Sequence, residues 1–135
     1  MNSKIKFRGK RVNGGEWVES MTISMGTIKR KMYKVFFEVQ PDKWVGVISD
    51  TVGQFTGKTD KNGKEIYDGD IVRVYDNDGT FDIVVKWNND AMAFMACYVS
   101  WNQSPFSWFT NLATYKLEVI GNIFDNKDLL KGEQQ

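Results

Sequence analysis

The chain has 135 residues, a formal net charge of +1, an apolar fraction of 41%, one cysteine and no histidine. That length suits a single domain able to bury a working core without disulfides or metals. The missing histidine excludes Ser-His-Asp and Cys-His nucleophilic centres and the usual histidine-based zinc sites, and the lone Cys97 excludes an internal disulfide or a redox pair.

Five Trp, five Tyr and nine Phe against two Pro favour strands, because aromatic side chains pack well on a pleated surface. Alternation with period two recurs along the chain. Ile5 and Phe7 alternate with Lys4, Lys6 and Arg8. After Asn13-Gly14-Gly15, Trp17, Met21 and Ile23 share one face of a strand. Tyr33, Val35, Phe37 and Val39 form another face, ended by Pro41-Asp42, and residues 44–48 and 51–56 read as short strands. Asp60-Lys61-Asn62-Gly63 predicts a tight turn, with Asn-Gly supplying positive φ. Residues 71–75 are a strand, Asp76-Asn77-Asp78-Gly79 a second turn, and Phe81, Ile83, Val85 and Trp87 one face of the next strand. Residues 92–99 read as strand, with helix the alternative, 100–114 as irregular, and 116–124 as a final strand. Asp125-Asn126 is placed to cap a short helix over 127–131.

The expected fold is therefore mainly β: a small antiparallel barrel in the second half, SH3-like closure being one form of it, with an added N-terminal β-sheet and a short C-terminal helix. One domain spans 1–135, softly divided into an N-terminal β region (1–55), a barrel-like region (56–124) and a tail (125–135).

Motifs that carry chemistry are few. Gly53-Gln-Phe-Thr-Gly57-Lys58-Thr59 has three residues between its glycines where the P-loop pattern needs four, and a turn follows it where a helix is required. Asp76, Asp78 and Asp82 lack the further oxygens and distal Glu of a calcium loop, so a solvated hairpin tip is the simpler reading. Asp68 and Asp70 flank Gly69 and read as a turn that feeds a strand, the alternative being two carboxylates sharing a metal or a proton. No catalytic residue, metal site or cofactor is expected. Cys97, in the apolar Met-Ala-Cys-Tyr-Val, reads as a buried, inert thiol. With no apolar run long enough for a signal peptide or a membrane span, a cytoplasmic location is expected.

Two features point to partners. Residues 1–34 hold nine Lys or Arg and two Glu, a balance of +7, and the remainder carries −6, so the first reading is that these parts attract each other within one fold or head to tail between copies. If their strands are neighbours, Lys4, Lys6, Arg8, Lys10 and Arg11 with Lys29, Arg30, Lys31 and Lys34 form a patch for phosphates, making nucleic-acid binding the alternative function. Residues 87–115 hold eight aromatics and no Lys or Arg. Core packing is one account of them. The other is a contact surface for a partner protein or a second copy, since interface cores are rich in aromatics and poor in charge. Trp101, Phe106, Trp108 and Phe109 are the candidate contacts, because Pro105 is expected to hold them in a projecting stretch and not a paired strand.

Thr56-Gly-Lys-Thr-Asp-Lys-Asn-Gly-Lys-Glu-Ile-Tyr-Asp-Gly-Asp-Ile-Val72 resembles the signature block of the YopX protein family. Ile5-Lys6-Phe7-Arg8 is similar to that family's beginning, and residues 118–126 to its end. The resemblance implies a small β-rich protein of phage or prophage origin, working in a bacterial host cell. It assigns no catalytic residues, and its partner would be a host or phage protein.

Overall fold

The computed structural model describes residues 4–28, 32–99, 103–112 and 114–131. The chain is mainly β and forms two compact units, Met1–Phe55 and Thr56–Gln135.

In the first unit, β1 (Phe7–Lys10) and β2 (Trp17–Ser20) form a hairpin in which Phe7 faces Ser20 and Gly9 faces Val18. The hairpin is closed by the Arg11 N–H donating to the Glu16 carbonyl at 2.9 Å. Strands β3 (Ile23–Ile28), β4 (Met32–Gln40) and β5 (Lys43–Val47) make an antiparallel meander. Cross-strand register stacks Ile23 on Phe37 and Val35 on Val47. Val35, Phe37 and Val47 are buried, with Phe7, Val18, Ile23, Val45 and Val52 packed against them.

The face expected to unite Trp17, Met21 and Ile23 is broken. Ser20 is buried, its hydroxyl donates to the Glu38 carbonyl at 2.7 Å and accepts the Thr22 N–H at 2.9 Å, so the chain turns there and leaves Met21 in solvent. Val39 also leaves its expected face and is exposed, at the point where the β4–β5 register shifts between Glu38 and Gln40. The last strand of the unit, β6 (Gly53–Thr59), begins beside β1, Gln54 opposite Phe7 and Gly53 opposite Arg8.

The second unit holds the remainder of β6, the short β7 (Glu65–Tyr67), and a five-stranded antiparallel sheet. That sheet contains β8 (Asp70–Asp76), β9 (Gly79–Asn88), β10 (Ala93–Tyr98), β11 (Pro105–Trp108) and β12 (Lys116–Asn122), in the order β11-β10-β9-β8-β12. It is open, so the expected barrel is corrected: among the described residues β11 and β12 are its two edges and no ladder joins them. Both faces of the central strands are buried. On one face Val72, Val74, Ile83, Val85, Ala96 and Leu117 pack with Ile66, Phe109 and Leu112. On the other, Ile71, Val84 and Cys97 pack under Ile120, Ile123, Leu129 and Leu130.

Two expectations for the chain after β10 also change. Residues 105–108 are a paired edge strand and not an irregular stretch; Pro105 is its first residue, a position where a missing N–H breaks no ladder bond, and a register shift at Ala96/Cys97 accommodates the entry. The C-terminal helix is a 3₁₀ turn, Lys127–Lys131. Asn126 does not cap it with its side chain, because Asn126 Oδ1 accepts the Asn122 N–H at 3.1 Å and so holds the turn to the end of β12. Gly121 is required beside this contact: a Cβ there would lie 2.5 Å from Asn126 Oδ1.

Candidate interaction surfaces

The aromatic segment divides between core and surface. Phe109, the first residue of the 3₁₀ turn Phe109–Leu112, is 2% exposed and belongs to the main core of the second unit. It is a packing residue, which corrects its place among the contact candidates. Its neighbour Trp108 is 56% exposed, opposite Met95 on the edge strand. Phe106 is also exposed and stacks on Tyr98, centroids 4.3 Å apart and planes at 26°. Trp101 lies outside the described residues.

Strand pairing brings in a second aromatic pair that the sequence reading did not single out. Phe94 stands opposite Trp87, and the two rings meet edge to face at 5.2 Å and 74°, a favoured aromatic geometry. Trp87 is exposed, yet anchored by its indole N–H donating to Asn89 Oδ1 at 2.8 Å. The signal was present in the period-two pattern, but alternation alone does not tell the ends of a strand from its buried middle. The β10–β11 edge of the sheet therefore carries Phe106 stacked on Tyr98, with Trp108 opposite Met95 on the other face and Trp87 farther along β9.

The carboxylates that invited chemical readings are occupied by the backbone. Asp70 is buried and accepts the Tyr67 N–H at 2.8 Å; Asp68 accepts the Trp87 N–H at 3.0 Å. Between them Gly69, at φ 93°, donates its N–H to Val85 and accepts that of Ile123, so this turn crosses from β9 to the segment after β12. Asp60, only 8% exposed, does more than the turn pattern predicted. Its Oδ1 accepts the N–H groups of Asn62 (2.8 Å) and Lys64 (2.9 Å), and its Oδ2 accepts that of Val119 (3.0 Å). Burial works against its charge, but the backbone donors of Val119, Lys64 and Asn62 outweigh burial and hold the carboxyl below its ordinary value of 3.8. The Lys61 N–H adds a bond to the Leu117 carbonyl, so the loop covers part of the outer edge of β12.

The hairpin carboxylates do not converge. Asp76 accepts the Asp78 N–H at 2.8 Å, whereas Asp82 forms a two-point ion pair with Arg73, Nε–Oδ1 2.9 Å and Nη2–Oδ2 3.2 Å. Among the described residues no three His, Cys, Asp or Glu side chains are grouped as metal ligands. Cys97 is buried, and burial pushes its thiol up from the ordinary range despite the nearby Lys86 charge.

The basic candidates fall into three groups. Arg8 and Lys10 share one face of β1, which Lys6 just precedes, and the register sets Trp17 opposite Lys10 and Glu19 opposite Arg8. The Arg8 guanidinium lies 4.6 Å and the Lys10 ammonium 5.6 Å from the Trp17 ring centroid; Lys6 lies 5.6 Å from that of Phe55 and 3.7 Å from Glu19. Arg11 instead pairs with Glu16 at 3.0 Å across the hairpin, and Lys4 is exposed ahead of β1. Lys29, Arg30 and Lys31 lie outside the described residues, and Lys34 is described only as a backbone position of β4 opposite Gly26.

These features define a two-unit antiparallel β protein in which the carboxylates of Asp60, Asp68 and Asp70 accept backbone N–H groups. The YopX protein family model matches residues 6–131, and the chain belongs to that family. Protein EF1440 from Enterococcus faecalis, known from a crystal structure, is similar in fold: TM-score 0.53, 24% identity, covering 96% of this chain and 99% of that one. No curated protein matches the chain. Among the described residues no helix is long and apolar enough to cross a membrane.

Proposed function

We propose that the protein is a non-enzymatic interaction module that binds protein through the β10–β11 edge of its second unit. The observation that carries this reading is the exposure of Trp108 and Phe106 on an edge strand, inside a stretch from 87 to 115 without Lys or Arg. A strand edge offers main-chain hydrogen bonds to a further strand, and large exposed rings supply the desolvated anchor that interfaces require. An aromatic surface poor in charge is also compatible with a copy of itself, where a strongly charged one would repel. Self-association is therefore the first form of the proposal, and a host or phage protein the second.

Light scattering on the wild-type chain is expected to show an assembly larger than the monomer, with Trp108→Ala shifted toward the monomer and its thermal midpoint little changed. A monomeric wild type overturns self-association. Failure of the wild type, and not only of Trp108→Ala, to retain any protein from bacterial lysate would then overturn the partner form too.

Nucleic-acid binding is the second reading, supported by Arg8 and Lys10 beside the Trp17 ring, since single-strand binders combine cations with aromatic faces. It ranks lower because Lys6 and Arg11 already face Glu19 and Glu16. Fluorescence anisotropy at low salt with single- and double-stranded oligonucleotides decides it: no binding removes the reading.

A further inference from the structure

The sequence contains two Asn-Gly pairs, Asn13-Gly14 and Asn62-Gly63, and both are exposed. Asn-Gly is the dipeptide most open to succinimide chemistry, because the glycine places no side chain in the path of its own backbone nitrogen. The two pairs are held very differently. At Asn62-Gly63 the Gly63 N–H donates to the Asp60 carbonyl at 3.0 Å and the Asn62 N–H donates to Asp60 Oδ1 at 2.8 Å. The nucleophilic nitrogen is thus engaged, and the peptide on each side of the asparagine is fixed to Asp60.

At Asn13-Gly14 the turn is closed outside the pair, by Arg11 N–H to Glu16 carbonyl and by Val12 N–H to Gly46 carbonyl, 2.9 and 3.0 Å. Among the described residues neither the Asn13 side chain nor the Gly14 N–H has a hydrogen-bond partner. The Glu16 carboxylate lies alongside, Oε2 being 3.2 Å from where a Cβ on Gly14 would stand. Asn13 also lines a shallow hollow of about 390 Å³ with Arg11, Val12, Phe36 and Trp44.

We infer that Asn13 is a site of spontaneous covalent modification by deamidation, and that Asn62 is protected from the same reaction by its turn. The Gly14 nitrogen, losing its proton to hydroxide, bonds to Asn13 Cγ; the Cγ–Nδ2 bond breaks and ammonia leaves, giving a five-membered succinimide. Water then opens the ring at one carbonyl or the other, yielding aspartate or isoaspartate at position 13. Either product places a new carboxylate at the hollow that Arg11 lines, where it competes with Glu16 for the guanidinium.

The test is incubation of the full chain in mildly alkaline buffer, with peptide mapping by mass spectrometry and isoaspartyl methyltransferase labelling over time. Conversion at Asn13 is expected to run about tenfold or more faster than at Asn62, the population cost of opening a turn held by one backbone and one charge-assisted bond. In urea the two rates are expected to converge, and Asn13→Gln removes the early product. Equal native rates, a faster Asn62, or no conversion at Asn13 while the unfolded chain converts would each overturn the assignment.

Discussion

Phe109→Ala is expected to lower the unfolding free energy of the chain by about 3–5 kcal/mol, the usual cost of emptying a buried aromatic site. Phe109 is 2% exposed and packs with Ile66, Val85, Ala96 and Leu112, elements from both sides of the main core, so the space it leaves has no single neighbour able to fill it. Trp108→Ala, one residue earlier, is expected to cost less than about 1 kcal/mol, since its ring is more than half in solvent. Urea unfolding followed by circular dichroism measures both, the midpoint falling with an unchanged slope. Equal costs at the two positions would mean that Trp108 is also a core residue, and the proposed contact surface would lose its anchor.

The Asp60 staple gives the second large effect. Asp60→Ala leaves three N–H donors without their acceptor; those of Asn62 and Lys64 are re-solvated at an exposed turn, whereas that of Val119 is part-buried. The expected loss is about 3 kcal/mol, and Asp60→Asn is expected to fall between, because an amide keeps one oxygen but sets an NH₂ group against one of the donors. The folded carboxyl titrates below 3.8, so from there downward the unfolded chain binds protons that the folded chain does not. The stabilisation is complete above the unfolded value and drains as the pH falls through the lowered folded one. Acid titration of stability should therefore be steeper below about pH 4 in the wild type than in Asp60→Asn, and parallel curves would show that this carboxylate is not the acceptor described.

Much of the fold is legible in the residues themselves. Period-two alternation locates most strands, and Asn-Gly and Asp-Gly pairs locate the turns between them, since both signals are local. What stays hidden depends on contacts distant in sequence. Val84 is buried on the second face of β9 only because Ile120, Ile123, Leu129 and Leu130 reach that side of the sheet. The break at Met21 follows from the Ser20 hydroxyl meeting a carbonyl eighteen residues away. Sheet closure, the hardest of these, turns on whether β11 and β12 meet, and neither strand's own pattern says so. In the candidate surface, Trp108 and Phe109 are alike as residue types; only the 3₁₀ turn that begins between them sends one ring inward.

The bond from Asp60 to Val119 spans fifty-nine residues, and this sets an order of events during synthesis. A growing chain folds from its N-terminal end, and the first unit is complete in sequence at Phe55. The second unit has no such early finish. Its β8–β9 hairpin has all its residues by Asn88, but at Asp60 the oxygen that accepts the Val119 N–H must wait until β12 has left the ribosome. Until that moment the edge of β8 that β12 will occupy stands open, and the nascent chain is at its most vulnerable to pairing with a neighbour.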